Sequence, residues 1–199
     1  MTVIGLAGGS GSGKTIVSDL FSRYNVLPIN TDEIYHTLTS SQTPCLSSIV
    51  EEFGSKVLNE RGTLDRKALG AIVYADAEKM GRLNTIAHYY VLCAVREIIS
   101  DAEQKGYRAA IVDAPLLFES GFDRECDAIV AVSADKEVRI SRIIARDGIS
   151  RDDAIKRISN QLSDEFLISR ADFIITNNGS VDDLKRQIEH VFNSIENNK

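Results

Sequence analysis

Short apolar runs alternate with amphipathic stretches along the 199 residues of this chain. Several of these runs have the length and composition of strands that are buried on both faces of a sheet. Helical periodicity fills most of the intervals between them, which predicts an α/β fold with a five-stranded parallel sheet and ligand chemistry at the carboxyl ends of its strands. The predicted strands are residues 3–7, 26–29, 109–112, 128–132 and 173–175.

The interval between the second and third predicted strands is out of proportion to the others. Residues 33–108 contain several helical patterns and no convincing strand. A single crossover helix needs far fewer residues. The pattern therefore predicts a helical insertion, which we expect to hold a second substrate.

The first predicted strand runs directly into the sequence GGSGSGKT, residues 8–15. This stretch fits the phosphate-loop pattern G-x-x-x-x-G-K-[ST], and it lies between a strand and a helical segment, as that pattern requires. Glycines let successive backbone N–H groups point at one anion, and the helix N-terminus adds a partial positive charge. The loop predicts binding of a nucleoside triphosphate, with Lys14 at the β- and γ-phosphates and the Thr15 hydroxyl on Mg²⁺.

Two carboxylates follow predicted strands at the same edge of the sheet. Asp32 follows the second strand, where a carboxylate can orient the proton of an attacking hydroxyl. The competing interpretation is a helix N-cap, which the local pattern favours. Asp113 follows the third strand and resembles the Mg²⁺-side acid of phosphate-loop enzymes, with a turn or cap as the alternative. Pro115 and the apolar residues after it favour a rigid strand exit over a plain turn.

A basic segment follows the fourth predicted strand. Seven of the 23 lysines and arginines fall between residues 136 and 157. Arg139, Arg142 and Arg146 share one helical face, which by itself is typical of a solvated, salt-bridged helix. Beside a phosphate loop, the same face indicates a lid that brings arginines to the triphosphate.

Composition limits the classes of function. The formal net charge of −6 argues against a general nucleic-acid binder. The chain has no 18-residue apolar run and no leader pattern, so we expect a cytoplasmic protein without membrane contact. Cys45, Cys93 and Cys126 are odd in number and form no C-x-x-C pair, so reduced structural thiols are favoured over a metal site or disulfides. Nothing in the sequence indicates an oligomeric state.

Eight features in register resemble the dephospho-coenzyme A kinases over nearly the whole chain. They are the phosphate loop, Asp32, residues 64–69, residues 83–88, the sequence DAPLLFE at 113–119, Arg142 with Arg146 and Asp147, residues 157–161, and residues 171–172 followed by 177–179. The resemblance implies a three-layer P-loop kinase with a helical substrate-binding insertion and a helical lid. The implied core is residues 1–32, 109–134 and 166–199, the coenzyme A-binding insertion is 33–108, and the lid is 135–165.

The resemblance also implies an activity and roles for residues. The activity is transfer of the ATP γ-phosphate to the ribose 3′-hydroxyl of dephospho-coenzyme A, the last step of coenzyme A synthesis. The implied catalytic residues are Asp32, Lys14 and Arg142, and the implied Mg²⁺ ligands are Thr15 and Asp113. ATP would bind Gly9, Ser10, Gly11, Ser12, Gly13, Lys14, Thr15, Arg146, Asn177 and Gly179. The acceptor would bind Asp32, Arg66, His88, Asp113 and Leu116; His88 taken alone is more typical of a core or helix-end histidine.

Three residues depart from the family pattern. Asn30 stands where the family usually has aspartate, and loss of that neighbouring charge should lower the proton affinity of Asp32. Tyr89 replaces a common proline after His88, which puts the local turn in doubt. Arg139 stands where glutamine is frequent, which predicts a slightly more basic lid.

Two alternatives remain at this point. The loop GGSGSGKT resembles uridine kinases at least as well, and these phosphorylate a ribose 5′-hydroxyl. A nucleotide-dependent switch protein is the alternative that is not a metabolic enzyme. It is disfavoured because the chain has no Asp-x-x-Gly and no Asn-Lys-x-Asp, the usual γ-phosphate sensor and guanine reader of such switches.

Overall fold

The computed structural model describes residues 1–197 and has a five-stranded sheet with strand order β2-β3-β1-β4-β5. Strand β1 pairs in parallel with β3 and β4, and β4 pairs in parallel with β5. The α/β class and the five predicted strands are confirmed, with small differences only at strand ends. The strands are β1 Thr2–Ala7, β2 Val26–Asn30, β3 Ala109–Asp113, β4 Ala128–Ser133 and β5 Phe173–Thr176.

Nine α-helices accompany the sheet in the described part of the chain. They are α1 Lys14–Phe21, α2 Thr31–Thr39, α3 Pro44–Phe53, α4 Arg66–Val73, α5 Ala77–Gln104, α6 Lys136–Asp147, α7 Arg151–Ser159, α8 Asp164–Ser169 and α9 Val181–Asn197. Within residues 1–197, no helix has the length and hydropathy needed to cross a membrane. The chain divides into two compact units: Met1–Ile29 with the chain from Asp101 onward, and Asn30–Ser100.

The first unit is built around the sheet. Its central strands are apolar on both faces: Leu6 and Ile111 on one face and Val112 on the other are fully buried. Helix α9 has apolar residues at helical spacing, and its Ile188 and Phe192 join the same core cluster as residues of α1. This packing fixes the start of α1 at the carboxyl edge of β1, where the phosphate loop lies.

The second unit has its own apolar core, formed by helices α2 to α5 and the connection between α3 and α4. An isolated antiparallel bridge pairs Leu58 with Leu64 within that connection. The core consists of Cys45, Leu46, Ile49, Phe53, Val57, Leu64, Leu69 and Val73. Burial raises the pKa of the Cys45 thiol to about 11, so this cysteine is a protonated core residue at neutral pH.

Helix α2 is capped by Asn30 and not by Asp32. The Asn30 Oδ1 accepts hydrogen bonds from the Asp32 amide at 3.0 Å and the Glu33 amide at 3.3 Å. The N-cap interpretation of Asp32 is therefore wrong, because an earlier residue with the same capping ability takes that position. Asp32 lies exposed in the first helical turn, where the helix dipole stabilises a carboxylate.

Replacing Asn30 with alanine should lower the free energy of unfolding by about 1 kcal/mol, since two amides lose their acceptor. Asn30→Asp keeps an acceptor and should remain within about 0.5 kcal/mol of the wild type. Urea unfolding followed by circular dichroism measures both. An Asp32→Ala variant that loses more stability than Asn30→Ala would contradict this assignment of the cap.

Candidate active site

The phosphate loop joins β1 to α1 and takes its shape from glycine. Gly13 caps α1 in the left-handed region, with φ of 95°. A side chain there would be strained, and its Cβ would collide with the Asn177 Nδ2. The Ser12 amide donates to the Gly9 carbonyl at 3.1 Å and closes the turn. The first amides of α1 follow directly, which is the arrangement that binds anions at a helix N-terminus.

Lys14, the first residue of α1, and Asp113, the last residue of β3, come together beside this loop. The Lys14 Nζ donates to the Gly8 carbonyl at 2.8 Å and lies 3.7 Å from the Asp113 Oδ1. Both side chains are largely buried, with exposed fractions of 14% and 11%. An ammonium group has three donors, so Lys14 has capacity for a further anion while it is bound to Gly8.

Arg142 and Asn177 hold the far side of the loop. The Arg142 Nη1 donates to the Gly11 and Ser12 carbonyls at 3.3 and 3.4 Å, and its Nη2 donates to the Asn177 carbonyl at 3.0 Å. Asn177 is buried, and its Nδ2 donates to the Ser12 carbonyl at 2.8 Å. We expected Arg142 to arrive on lid closure; the structure instead has it bound to the loop already.

Two cavities adjoin the loop within the first unit. A cavity of about 300 Å³ has both apolar and polar walls, formed by Gly13, Ile16, Arg142, Asn177, Gly179, Val181 and Leu184. A second cavity, of about 320 Å³, lies between Gly8 and Gly9 on one side and the segment after β3 on the other. Leu116, predicted to contact the acceptor, lines this second cavity and is 40% exposed.

The remaining predicted acceptor residues lie in the second unit. Arg66 begins α4, where its Nη2 lies 2.6 Å from the His36 Nδ1 and its guanidinium lies over the Tyr35 ring, 5.9 Å from the centroid. These contacts fix the orientation of a cationic group on this unit. His88 is half-buried on α5, and the roles of Asp32, Arg66 and His88 stay predictions.

Arg146 and Arg139 differ from the prediction of a single arginine face directed at the triphosphate. Arg146 is exposed and forms two hydrogen bonds with Asp147, at 2.8 and 2.9 Å, and this pairing lowers the pKa of the Asp147 carboxyl to about 2. Arg139 is buried and binds both the loop and Asp164. Arg139 adds no exposed positive charge to the lid, because its guanidinium is buried and paired with Asp164.

Sequence reasoning placed Arg139 on the arginine face of α6, but it missed the contact of Arg139 with Ser10 and two further residues: Asp164, which binds Arg139, and Gln161, which binds Ser10. Their contacts join residues more than 20 positions apart, so no local pattern reveals them. One signal was available. The pattern G-x-x-x-x-G-K-[ST] does not require glycine at positions 9 and 11, so these glycines indicate a close neighbour.

A model of the CoaE family, described as dephospho-CoA kinase, matches residues 2–183 of the chain. The chain belongs to the dephospho-CoA kinase family. A dephospho-CoA kinase from Corynebacterium glutamicum is 38% identical to it over 98% of this chain and 100% of the relative. A solved dephospho-CoA kinase from Campylobacter jejuni has a TM-score of 0.71 and 26% identity, covering 99% of this chain and 98% of that one. A solved protein from Thermus thermophilus has a TM-score of 0.80 and 27% identity over 97% of both chains.

Gly13→Ala should abolish measurable binding of Mg-ATP, since it adds both backbone strain and a collision with Asn177. Gly62→Ala is the matched control, because Gly62 also has a positive φ, of 72°, but its Cβ would meet nothing within 4 Å. The control should retain wild-type affinity in titration calorimetry. Wild-type affinity in Gly13→Ala would contradict the placement of the triphosphate at this loop.

Proposed function

We propose that this chain transfers the γ-phosphate of ATP to the ribose 3′-hydroxyl of dephospho-coenzyme A, producing coenzyme A and ADP. The observation that carries the proposal is the phosphate loop with Lys14 beside Asp113 at the carboxyl edge of the sheet. Membership of the dephospho-CoA kinase family supports the choice of acceptor.

ATP is proposed to bind along the loop and into the adjoining cavity of about 300 Å³. The amides of Gly13, Lys14 and Thr15 and the Lys14 ammonium would hold the phosphates. The Ser10 and Ser12 amides already donate within the protein, to Gln161 and Gly9. The adenine would lie in the cavity beside Asn177 and Gly179. Arg142 lines that cavity and also binds the loop, so one guanidinium would contact the base and hold the phosphate loop.

Thr15 and Asp113 fit a magnesium ion. They offer a hydroxyl and a carboxylate, the hard oxygen ligands that Mg²⁺ prefers, and Thr15 is exposed in the first turn of α1. Residues 1–197 contain no cluster of three or more His, Cys, Asp or Glu suited to a metal. The pair of Thr15 and Asp113 suits Mg²⁺, because this ion takes one or two protein ligands and completes its coordination shell with phosphates and waters. When bound, the ion neutralises charge that develops on the phosphates.

Asp32 is proposed to orient the acceptor hydroxyl and take its proton during in-line attack on the γ-phosphorus. Asn30 caps α2, so the Asp32 carboxylate is not needed for capping. Arg66, fixed by His36 and Tyr35, is proposed to bind the anionic diphosphate of the acceptor, with contacts to the rest of the molecule from His88 and Leu116. Binding energy from these remote groups would align the hydroxyl for transfer.

The choice of acceptor is tested by ADP release from ATP and Mg²⁺. Purified protein is assayed with dephospho-coenzyme A, uridine or cytidine at equal concentrations. We expect release with dephospho-coenzyme A alone. Release only with the nucleosides would overturn the proposed acceptor and favour the uridine kinase alternative.

Replacing Asp32 with asparagine should reduce kcat by roughly 10²- to 10⁴-fold, because the general base is lost. The affinity for Mg-ATP should stay within about twofold, since the carboxylate acts on the acceptor. Glu33→Gln is the matched control, because Glu33 is the neighbouring exposed carboxylate of the same helical turn. Near wild-type kcat in Asp32→Asn, or an equal loss in Glu33→Gln, would rule out Asp32 as the base.

Lys14→Ala should weaken Mg-ATP binding and also lower kcat by roughly 10²- to 10³-fold, the loss typical of removing one group that stabilises transition-state charge. Lys185→Ala is the control, because Lys185 is an exposed lysine of α9 paired with Asp182. Steady-state kinetics with varied ATP separate the two effects. Unchanged kinetics in Lys14→Ala would contradict its assignment to the phosphates.

A further inference from the structure

Every polar group of Ser10 at the tip of the phosphate loop is bound by the segment that follows β4. The Ser10 carbonyl accepts from the Arg139 Nε at 2.9 Å. The Ser10 amide donates to the Gln161 Oε1 at 2.8 Å, and the Gln161 Nε2 donates to the Ser10 Oγ at 3.3 Å. Two side chains, one from α6 and one from the turn after α7, therefore fix this residue from both sides.

Arg139 is itself held rigidly. Its side chain is 3% exposed, and its Nη1 donates to both carboxylate oxygens of Asp164, at 2.6 and 2.7 Å. A buried guanidinium is stable only when it is paired, and Asp164 supplies that pairing from the start of α8. Burial and this ion pair thus hold the Arg139 guanidinium in one orientation against the loop.

Gly9 and Gly11 are shaped to that surface. A Cβ on Gly9 would collide with the Arg139 Nη2 and lie 2.9 Å from its Cζ. A Cβ on Gly11 would lie 2.6 Å from the Arg139 carbonyl oxygen. Gly9 has none of the positive φ angles found at Gly8, Gly11 and Gly13, so its backbone accepts an alanine. The Arg139 guanidinium is therefore the group that a side chain at position 9 would meet.

We propose that Arg139, Asp164 and Gln161 are positioning residues that hold the phosphate loop in its ATP-binding shape through Ser10. A loop fixed before binding loses less conformational freedom when the triphosphate arrives, and it places the γ-phosphate in one position for transfer. The inference rests on the proposed binding of ATP at this loop. It also gives Arg139 a function different from that of a lid arginine.

The direct test is a double-mutant cycle between Gly9 and Arg139, read as the Kd for Mg-ATP without acceptor. Gly9→Ala should weaken binding about tenfold in the wild-type background, a coupling in the range measured for residues in contact. Added to Arg139→Ala, the same change should weaken binding by less than about twofold, because the obstructing guanidinium is gone. An equal loss in both backgrounds would overturn the proposal, since glycine would then be required for another reason.

Conservative and matched variants separate positioning from general stability. Arg139→Gln retains an amide donor for the Ser10 carbonyl and should bind Mg-ATP more tightly than Arg139→Ala. Arg151→Ala is the control, because it removes an exposed arginine–carboxylate pair with Glu137 from the same segment. Unfolding midpoints establish that each variant is folded.

The kinetic readout is the ratio of the KM for ATP to the KM for dephospho-coenzyme A. Arg139→Ala and Gln161→Ala should raise the KM for ATP and leave the KM for the acceptor nearly unchanged, whereas equal changes in both would contradict positioning of the loop. If the double-mutant cycle shows no coupling between Gly9 and Arg139 while the wild type phosphorylates dephospho-coenzyme A, this proposal alone is overturned. Coupling in Mg-ATP binding without such turnover would overturn the proposed acceptor alone.

Discussion

The structure depends on one constraint of the phosphate loop: amides that converge on an anion force the carbonyls of the same peptides to point away from it. Those carbonyls need hydrogen-bond donors, and each carbonyl from Gly8 to Ser12 has at least one. Lys14 donates to the Gly8 carbonyl, and the Ser12 amide donates to the Gly9 carbonyl. Arg139 donates to the Ser10 carbonyl, and Arg142 donates to the carbonyls of Gly11 and Ser12. The loop is thus enclosed by three cationic side chains.

This arrangement explains why α6 has arginines on one face and isoleucines on another. Arginines at positions 139 and 142 are one helical turn apart, and both face the loop, whereas Ile140 and Ile143 are fully buried in a small apolar cluster with Ala154 of α7. The helix therefore anchors the loop on one face and the following segment on another. Cations behind the carbonyls also offset their partial negative charge, which favours a triphosphate on the amide side.

Much of the fold and part of the site were predictable because they follow local rules. The strands are short apolar runs, and the phosphate loop is a contiguous pattern with the required strand and helix on either side. The cap of α2 was misassigned because Asn30 and Asp32 are both good capping residues, and the pattern cannot choose between two candidates so close together. Spacing also placed Arg139 on the correct face of α6, but its burial depends on Asp164, 25 residues later.

The measurement that tests this account most directly is the response of the loop amides to a non-hydrolysable ATP analogue with Mg²⁺, followed by ¹H–¹⁵N NMR. Amides that donate to phosphate oxygens shift downfield, so we expect the largest shifts at Gly13, Lys14 and Thr15. The Ser10 amide is already bound to Gln161 and should shift less. Saturable binding with loop amides unchanged, and with shifts confined to residues 30–100, would contradict the placement of ATP on which the whole account depends.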